Sequence, residues 1–343
     1  MDGQKDHVPV YRRLVDHYRN RICSYEIKPG ARIDSISRIM ERHRVSRETA
    51  KLVLKKLVEQ GLVTSIRGKG TFVNFHEETK PAWGVVIPFL SSNIEQLISE
   101  LAIQAEAMKR TLNYFLHYNN PAEEIRITGD LVRSGYEAVI VIPNYDESKT
   151  ADFYRRLVTG KSKVILADNT MAGSFFNYVI QSYDLGVTRA FEYLCQKVKG
   201  NYLLLGDETW KGRNMVFDLI SDTFRFLVQS RCPGRRLFVV QGLGQVDASF
   251  MIRHDISGIL ALQDSDAVRI TGRMKRWNIA VPGKVSVVSY GNTELTACFD
   301  PGITAIDCNY GEMAQQIRRI TADVDHPDKM QVVISPELII RET

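Results

Sequence analysis

From residue 83 onward, short continuous apolar runs alternate with stretches of helical periodicity. The apolar runs, each with the length and composition of a strand, read WGVVIPF, YFLHY, AVIVIP, KVILAD, NYVIQ, NYLLLGD, RLFVVQG, GILALQD and VSVVSYG. Strands that are apolar on both faces and joined by helices are typical of parallel sheets covered by helices on each side. We therefore predict an α/β region that accommodates two doubly wound parallel sheets, with ligands bound beyond the carboxyl ends of the strands.

The first eighty residues follow a different pattern, in which three helices precede a hairpin. Apolar residues recur at helical spacing over 10–24, and Ser35 and Ser46 are suitable N-caps for two further helices, over 36–43 and 47–60. The run LVTSIRGKGTFV then contains two β-prone segments around a glycine-rich basic tip, which predicts a hairpin. Two short helices with a tight connection, followed by such a hairpin, indicate a winged helix-turn-helix.

A helix-turn-helix places the first residues of its second helix against base edges in the major groove, and a basic hairpin can contact phosphates or the minor groove. The predicted DNA-binding residues are Ser35, Arg38, Ser46, Arg47, Thr49 and Lys51 in the helical part, and Arg67, Gly68, Lys69 and Gly70 in the hairpin. The alternative for the basic residues is that they are only solvated helix charges.

The charge of the chain is concentrated at the same end. Residues 1–80 contain 17 Lys and Arg against 10 Asp and Glu, a balance of +7, whereas the remaining 263 of the 343 residues contain 28 against 30, a balance of −2. A basic segment joined to a nearly neutral one favours a polyanion-binding domain attached to a domain with another task. The charge distribution therefore supports double-stranded DNA as a partner of the N-terminal domain.

Other features argue against several classes of protein. The five cysteines are scattered without a C-x-x-C pair, and the histidines lack the spacing of a zinc site, so we expect reduced thiols, no metal site and no cofactor. No apolar run approaches the length of about 18 to 20 residues that a membrane span needs, and the first residues, MDGQKDHVPVYRR, are not an apolar signal segment. We expect a cytoplasmic protein without a membrane partner.

Segment 10–73 resembles the winged helix-turn-helix of GntR-family bacterial regulators, above all over VSRETAKLVLKKLVEQGLVTSIRGKGTFV. One difference is Ser37, which stands where the family often has a DNA-contacting arginine, although Arg38 is adjacent. The resemblance implies a DNA-binding domain over 1–74 and a linker over 75–82.

Residues 83–343 resemble the effector domain of LacI-type repressors, which is itself similar to periplasmic sugar-binding proteins. The matching stretches are KVILADNTMAG, YLLLGDETWKGR, GILALQDSDAVRI and VPGKVSVVSYGNTELTACFDPGITAI. The resemblance implies dimerisation through this domain and an effector bound between two subdomains, about 83–177 plus 307–325 and 178–306 plus 330–343. A GntR-type head on a LacI-type body is similar to the arrangement in arabinose-type repressors.

Several candidate effector-binding residues follow strands and offer hydroxyl partners or an aromatic face. Phe89 and Asn93 come after the first strand of the α/β region, and Trp210 follows the strand NYLLLGD. Either aromatic ring could stack on a sugar ring. The alternatives are that Phe89 or Trp210 belongs to the core and that Asn93 only caps a helix.

Further effector candidates come from the resemblance to LacI-type repressors. It implies that Arg213 contacts the effector and that Gln263 and Asp264 occupy the family's Asn-Asp position, where a carboxylate accepts hydrogen bonds from hydroxyl groups. Asn292 follows the late strand near a position where the family frequently has an aspartate. This difference should change the recognition of hydroxyl groups.

Together these observations predict a sequence-specific transcription regulator, a repressor of sugar-utilisation genes that binds an inverted repeat as a homodimer. Its operator affinity would respond to a small neutral sugar, a pentose or deoxyhexose, because Arg213 is the single cation that the resemblance assigns to the cleft. Alternatives for the sensed species are a purine, a phosphorylated sugar or a protein partner. An α/β enzyme is a remote alternative without a candidate catalytic residue, since the sequence has no G-x-S-x-G elbow and no Walker A loop.

Overall fold

The computed structural model describes residues 9–23, 26–28, 30–74, 80–144, 146–157, 159, 161–169, 176–206, 214–323 and 329–343. The helices are α1 (Val10–Cys23), α2 (Ile36–His43), α3 (Arg47–Glu59), α4 (Ser92–Ala107), α5 (Pro121–Arg133), α6 (Ala151–Arg156), α7 (Tyr183–Lys197), α8 (Met215–Arg231), α9 (Ala248–Arg253), α10 (Asp264–Arg276), α11 (Glu294–Cys298) and α12 (Tyr310–Ala322). The strands are β1 (Val63–Ile66), β2 (Gly70–Val73), β3 (Lys80–Ile87), β4 (Thr111–Leu116), β5 (Tyr136–Val141), β6 (Lys163–Asp168), β7 (Asn177–Gln181), β8 (Asn201–Gly206), β9 (Leu237–Gln241), β10 (Ile256–Ala261), β11 (Ser286–Gly291), β12 (Thr304–Asp307), β13 (Gln331–Ile334) and β14 (Glu337–Ile339).

The N-terminal unit is a winged helix-turn-helix in which α1, α2 and α3 enclose one core. Tyr18, Ile39 and Leu57, one from each helix, are fully buried there. Strands β1 and β2 pair antiparallel, with Val63 opposite Val73, and form the hairpin of the wing. The helix bounds predicted from apolar spacing and serine caps are confirmed to within one residue.

The first α/β subdomain contains a parallel sheet with the strand order β13-β7-β6-β5-β3-β4. Helices α4 and α12 cover one face, where Leu97 is buried, and α5 and α6 cover the other, where Ile127 is buried. The neighbouring residues Val85 and Val86 of β3 point to opposite faces and are both fully buried. Burial on both faces explains why this strand is a continuous apolar run.

The second subdomain contains a sheet with the order β14-β12-β11-β10-β8-β9. Its strands are parallel except for β14, which runs antiparallel to β12. Helices α7 and α8 contribute Phe191 and Phe224 to the core on one face, and α9 and α10 contribute Met251 and Ile270 on the other. The prediction of two sheets with helices on both faces is therefore confirmed.

The sheets divide the chain differently from the subdomain bounds inferred from the sequence. The chain passes between the subdomains after β7, after β12 and after β13. Strands β7 and β13 both lie in the first sheet, with Tyr178 opposite Gln331, although 178–306 and 330–343 were expected in the second subdomain. This correction has a simple reason, since a short apolar strand such as QVVI fits either sheet and only its long-range pairing assigns it.

The winged helix joins the body, the part of the chain that contains the two α/β subdomains, through the predicted linker 75–82. Strand β3 already begins at Lys80, inside that linker, whereas residues 75–79 lie outside the described residues. Helix α1 packs against α5. The pKa of the Glu123 carboxyl is lowered by Arg126, which lies on α5 as Glu123 does. It is lowered further by Arg19 of α1, across this junction. The winged helix therefore contacts the first subdomain directly.

Candidate DNA-binding surface and ligand cleft

Serine caps fix the points where α2 and α3 begin. Ser46 has an extended backbone, and its Oγ accepts a hydrogen bond from the backbone N of Thr49 at 3.2 Å. The hydroxyls of Ser46 and Thr49 also lie 2.9 Å apart. Ser35 caps α2 in the same way, by accepting from the backbone N of Arg38 at 3.3 Å. Because caps pair amide groups that a helix leaves unsatisfied, these serines set the position of the candidate recognition helix.

Basic side chains are accessible on α2 and α3. Arg38, Arg47 and Lys51 are all exposed. Nζ of Lys51 lies 3.3 Å from Oε1 of Glu48, in an ion pair whose side chains are 50% and 82% exposed. Exposed pairs of this kind contribute about 0–1 kcal/mol, so a phosphate group can replace the glutamate at little cost.

The wing presents two further cations at its tip. Arg67 and Lys69 are exposed, and the flanking Gly68 and Gly70 have positive φ angles of 78° and 122°. A Cβ on Gly70 would lie 2.5 Å from Nε of Arg32. The glycines therefore permit the tight turn and the approach of Arg32, a basic residue that the sequence analysis did not select because it stands in a loop without periodicity.

A cavity of about 50 Å³ lies between the subdomains, at the carboxyl ends of the strands. It is lined by Phe89, Ser91, Asn93, Ile94, Asp168, Gln181, Tyr183, Asn214, Val216, Ile220, Leu262, Gln263, Tyr290 and Tyr310. These described residues supply amides, one carboxyl, tyrosine hydroxyls and aromatic rings, and none of them is a lysine or an arginine. Such a lining suits an uncharged ligand that carries several hydroxyl groups.

Asp168 supplies the carboxyl of this cavity from the end of β6. It is 7% exposed, and it accepts hydrogen bonds from Nε2 of Gln181 at 2.5 Å and from the hydroxyl of Tyr183 at 2.7 Å. Burial raises the pKa of the Asp168 carboxyl, and the bonds from Tyr183 and Gln181 oppose that shift. The carboxyl is therefore fixed in position by its partners and retains acceptor capacity for a ligand hydroxyl.

Hydrogen bonds join the two subdomains across the cleft. The hydroxyl of Tyr290, on β11, donates to Oε1 of Gln181, on β7, at 3.2 Å. Nδ2 of Asn93, on α4, donates to the carbonyl oxygen of Tyr290 at 3.1 Å. The rings of Tyr183 and Tyr290 stack with centroids 5.9 Å apart. A relative movement of the subdomains therefore changes the hydrogen bonds of the cleft itself.

Gly291 allows this close approach of α4 to β11. A Cβ on Gly291 would lie 2.4 Å from Oδ1 of Asn93 and 2.9 Å from Oδ1 of Asp264. A separation under about 3 Å between heavy atoms that are not hydrogen-bonded forces one of them to move. The absence of a side chain at Gly291 is thus a condition for the contact between Asn93 and Tyr290.

Two buried polar atoms of the cavity residues have no hydrogen-bond partner within the described part of the chain, namely Oδ1 of Asn93 and Nδ2 of Asn214. The two residues are 9% and 6% exposed. Oδ1 of Asn214 is engaged as the N-cap of α8, where it accepts from the backbone N of Phe217 at 3.0 Å. An unpaired buried polar group costs about 1–3 kcal/mol, so a ligand that pairs with these atoms recovers that free energy.

Three of the sequence-predicted effector residues line the cavity: Phe89, Asn93 and Gln263. Gln263 lies 7% exposed at the start of α10. Trp210 and Arg213 lie outside the described residues.

Asp264 and Asn292 are close to the cavity but do not belong to the described residues that line it. Asp264 is fully buried, and its carboxylate accepts from the backbone N of Thr293 at 2.6 Å and from the hydroxyl of Ser289. Nδ2 of Asn292 donates to Oδ2 of Asp307 at 2.8 Å. In this arrangement both residues hold the loop after β11 in place.

Other cavity residues were missed by the sequence analysis. Asp168 and Gln181 are the last residues of their strands, KVILAD and NYVIQ, and this position alone could have identified them, since ligands of parallel sheets bind at strand ends. Tyr290, the last residue but one of β11, carries a similar signal, whereas Tyr310, the first residue of α12, carries none. Strand β11 belongs to the second subdomain and α12 to the first, because the chain crosses between the subdomains after β12. The two tyrosines therefore reach the cavity from opposite sides.

None of the helices in the described part of the chain combines the length and the apolar composition that a membrane span requires. Across the same residues, no group of three or more His, Cys, Asp or Glu side chains is placed to hold a metal ion.

Two family models match parts of the chain. Residues 10–73 match the gntR family of bacterial regulatory proteins, and residues 234–343 match a periplasmic binding protein-like domain. The first segment coincides with the winged helix. The second includes β9 to β12, β13 and β14.

The chain is also similar to proteins named as transcriptional repressors. It is 40% identical over 67 residues to the mannosyl-D-glycerate transport/metabolism system repressor of Escherichia coli strain K12, an alignment that spans 20% of this chain and 28% of that protein. It is 20% identical to the arabinose metabolism transcriptional repressor of Halalkalibacterium halodurans, over 97% of this chain and 96% of that one.

Solved structures share the fold. A periplasmic binding protein/LacI transcriptional regulator from Alkaliphilus metalliredigens in complex with D-xylulofuranose superimposes with a TM-score of 0.61 and 16% identity, over 77% of this chain and 99% of that one. A complex of the transcriptional regulator CelR with cellobiose superimposes with a TM-score of 0.64 and 12% identity, over 98% of this chain and 99% of that one. At these identities the likeness establishes the fold alone.

Proposed function

We propose that this chain, which joins a gntR-family winged helix to a periplasmic-binding-protein-like domain, is a transcription repressor of sugar-metabolism genes. The winged helix binds operator DNA, and a small neutral sugar, a pentose or a deoxyhexose, binds between the subdomains and releases the operator. The observation that carries the proposal is the cleft lining, which offers hydroxyl partners and aromatic rings and has no lysine or arginine among its described residues. The names of the relatives and the sugars in the two similar complexes support it.

The chemistry of the lining favours a neutral sugar over a phosphorylated one. A phosphate group is bound most strongly by arginine, lysine or a row of backbone amides. Arg213 is the cation expected for this cleft from the sequence, and a single guanidinium suits ring and hydroxyl oxygens as well as it suits an anion. A pentose or deoxyhexose needs no further positive charge.

Specific atoms can be assigned to sugar hydroxyls in this proposal. The Asp168 carboxyl and Oδ1 of Asn93 accept from hydroxyl groups, and Nδ2 of Asn214 donates to a hydroxyl or ring oxygen. The ring of Phe89 covers an apolar face of the sugar, and Gln263 adds an amide from the second subdomain. The ligand then touches both subdomains, as a ligand that controls their arrangement must.

We propose that sugar entry separates the groups that now bond across the cleft. A cavity of about 50 Å³ has room for about four water molecules, which is less than a pentose occupies. The sugar therefore has to displace the contact of Tyr290 with Gln181 or with Asn93, and it binds a wider arrangement more tightly than the present one. A coupling of about 1–3 kcal/mol between sugar and DNA would change operator affinity about 5- to 150-fold.

The DNA-binding half of the proposal requires two copies of the chain. One recognition helix and one wing cover a single half-site, so a homodimer on an inverted repeat is expected, with the body as the dimerisation domain. Analytical ultracentrifugation of the full chain with operator DNA should show two chains per duplex. A single chain, both free and on the duplex, would contradict the dimer.

The function can be tested with DNA selected from a random pool by the full-length chain. A melting-temperature screen against neutral pentoses and deoxyhexoses, sugar phosphates and purines then identifies ligands, because a ligand of the folded state raises the melting temperature. We expect a neutral sugar to raise it and to weaken binding to the selected DNA. Stabilisation only by sugar phosphates or only by purines would overturn the ligand class, and failure to select any DNA would overturn the repressor.

A further inference from the structure

Two cysteine thiols lie against each other at one end of the second subdomain. Sγ of Cys195, in the last turn of α7, is 3.1 Å from Sγ of Cys232, the residue that ends α8. An S–S bond is about 2.05 Å long, so the sulfur atoms need to approach by only about 1 Å to bond. Side-chain rotation at a helix end can supply a movement of that size.

The two thiols differ in access to solvent. Cys195 is partly exposed, whereas Cys232 is 6% exposed beneath it. A small oxidant therefore reaches Cys195 first, and Cys232 is placed to react with the product. The hydroxyl of Tyr202, 3.4 Å from Sγ of Cys232, accepts a hydrogen bond from Nη1 of Arg235 at 2.8 Å, which brings a positive charge close to the buried thiol. Burial and the adjacent Cys232 thiol raise the pKa of Cys195, and the charge of Arg235 opposes this only in part, so the attacking thiolate forms more readily as the pH rises.

We propose that Cys195 and Cys232 form a reversible, oxidant-dependent intrachain disulfide, with a peroxide as the oxidant. The Cys195 thiolate attacks one peroxide oxygen, the O–O bond breaks, and the other oxygen leaves as hydroxide and takes up a proton, which gives a sulfenic acid and water. The Cys232 thiol then attacks the Cys195 sulfur, the S–S bond forms, the S–O bond breaks, and a second water leaves. Two thiols lose two electrons and two protons, and a dithiol restores them.

The bond would close a loop that contains β8 and α8. The amino-terminal ends of α7 and α8 face the cleft, where Tyr183 begins α7 and Asn214 caps α8, whereas the two cysteines lie at the opposite ends of these helices. The disulfide therefore restrains the unfolded chain and the helix pair without entering the cleft. We expect a higher melting temperature for the oxidised protein and an unchanged sugar affinity. This inference does not depend on the proposed repressor function.

The test uses the full-length protein treated with hydrogen peroxide, alkylated under denaturing conditions and digested with trypsin. Cleavage after lysine and arginine releases residues 190–197, AFEYLCQK, and residues 232–235, CPGR. We expect these peptides as one linked species that lacks two hydrogen atoms and that dithiothreitol separates. The oxidised protein should also melt at a higher temperature than the reduced protein.

Matched variants distinguish this bond from general oxidation. Cys195→Ser removes a partly exposed thiol and should abolish both the linked peptide and the rise in melting temperature, whereas Cys298→Ser, on an exposed residue of α11, should keep both. Recovery of Cys195 as the free thiol or as sulfinic acid without the linked peptide would overturn the proposal. A disulfide found only between two chains would overturn it as well.

Discussion

The winged helix and the cleft arrange their polar side chains in opposite ways. On α3, Arg47 and Lys51 are exposed to solvent. In the cleft, Asp168 and Gln181 are 7% and 4% exposed and are hydrogen-bonded to each other. The first surface presents charge to water, and the second presents polar groups from which water is largely excluded.

This difference predicts which solution variable controls each region. Exposed charges act over about a Debye length and are screened by salt, which makes a polyanion the natural partner of such a surface. Buried polar groups discriminate ligands through the cost of leaving one unpaired, and burial shifts the pKa of those that titrate. Salt should therefore govern binding by the winged helix, and pH should govern the stability of the body.

The largest expected effect is on DNA binding by the double variant Arg47→Ala, Lys51→Ala. Loss of a base contact costs roughly 1–3 kcal/mol, or about 5- to 150-fold in affinity, and the two losses combine. Sugar binding should stay at the wild-type level because the cleft belongs to another domain. Gel-shift titration with the selected DNA and calorimetry with the sugar measure the two activities separately.

Lys56→Ala is the matched control for this double variant. Lys56 lies on the same helix, about 140° around the axis from Lys51, and pairs with Glu59 at 2.7 Å. It should leave DNA affinity nearly unchanged. Equal affinity of the double variant and the wild type would remove α3 from the DNA interface, and a parallel loss of sugar binding would show that the regions are not separate.

The second prediction concerns a buried carboxyl of the body. Glu124, on α5, is fully buried, and its carboxylate accepts from the backbone N of Asn144 and from the hydroxyl of Tyr154, each at 2.8 Å. Burial raises the pKa of Glu124 from 4.5 to about 7, and the two hydrogen bonds only partly oppose this. The folded chain therefore holds the proton more tightly than the unfolded chain. The stabilisation is complete below pH about 4.5 and is lost as the pH rises through about 7.

Glu124→Gln should remove this loss of stability at rising pH. Relative to wild type, the variant should gain roughly 3 kcal/mol of stability between pH 4.5 and pH 8, at 1.36 kcal/mol for each pKa unit. Denaturant unfolding of both proteins at each pH measures the difference. His117, whose pKa burial lowers to about 4, contributes a change of opposite sign that is common to both proteins and cancels.

Glu106→Gln, at an exposed glutamate of α4, is the control for this pH series. It should follow the wild-type curve throughout. A constant offset between Glu124→Gln and wild type over the whole pH range would show that the Glu124 carboxyl does not titrate in this window.

The third prediction tests how closely the subdomains approach. In Gly291→Ala the added methyl group meets Oδ1 of Asn93, and overpacking of this kind costs roughly 1–3 kcal/mol. Because the methyl group pushes Asn93 away from Tyr290 and so favours the wider arrangement, we expect a lower melting temperature, tighter sugar binding and weaker DNA binding in the absence of sugar. Gly272→Ala, where an added Cβ meets nothing within 4 Å, is the matched control; it should leave both binding affinities unchanged and stabilise α10 by about 0.5–1 kcal/mol. Wild-type sugar affinity in Gly291→Ala would mean that sugar entry does not displace the contact between Asn93 and Tyr290.

The same contrast explains what the sequence could predict. The winged helix was predicted almost residue by residue, because Ser35 and Ser46 cap helices that begin at the next residue and the wing is a hairpin of adjacent strands. Such signals are local. The parallel strands of the body were predicted from their continuous apolar runs for the same reason.

The cleft is assembled from residues that are far apart in the chain, and the sequence predicted only part of it. The bond between Asn93 and Tyr290 joins residues 197 positions apart, and no local pattern announces such a pair. Asp264 was selected as a ligand carboxylate, but its position among Ser289 and Thr293 emerges only from the packing of β11 on α10. The assignment of β13 to the first sheet likewise depends on its pairing with β7.

The smallest expected effect concerns Lys69 at the tip of the wing. If Lys69 neutralises one phosphate, Lys69→Ala weakens binding to all DNA sequences by a similar factor and reduces the slope of log affinity against log salt by about one. Arg47→Ala should instead reduce the preference for the selected DNA over random DNA. Titrations at several salt concentrations with both DNAs separate the two outcomes. An unchanged salt slope in Lys69→Ala would place the tip of the wing away from the phosphates, and the exposed charge of the winged helix would then act through α2 and α3 alone.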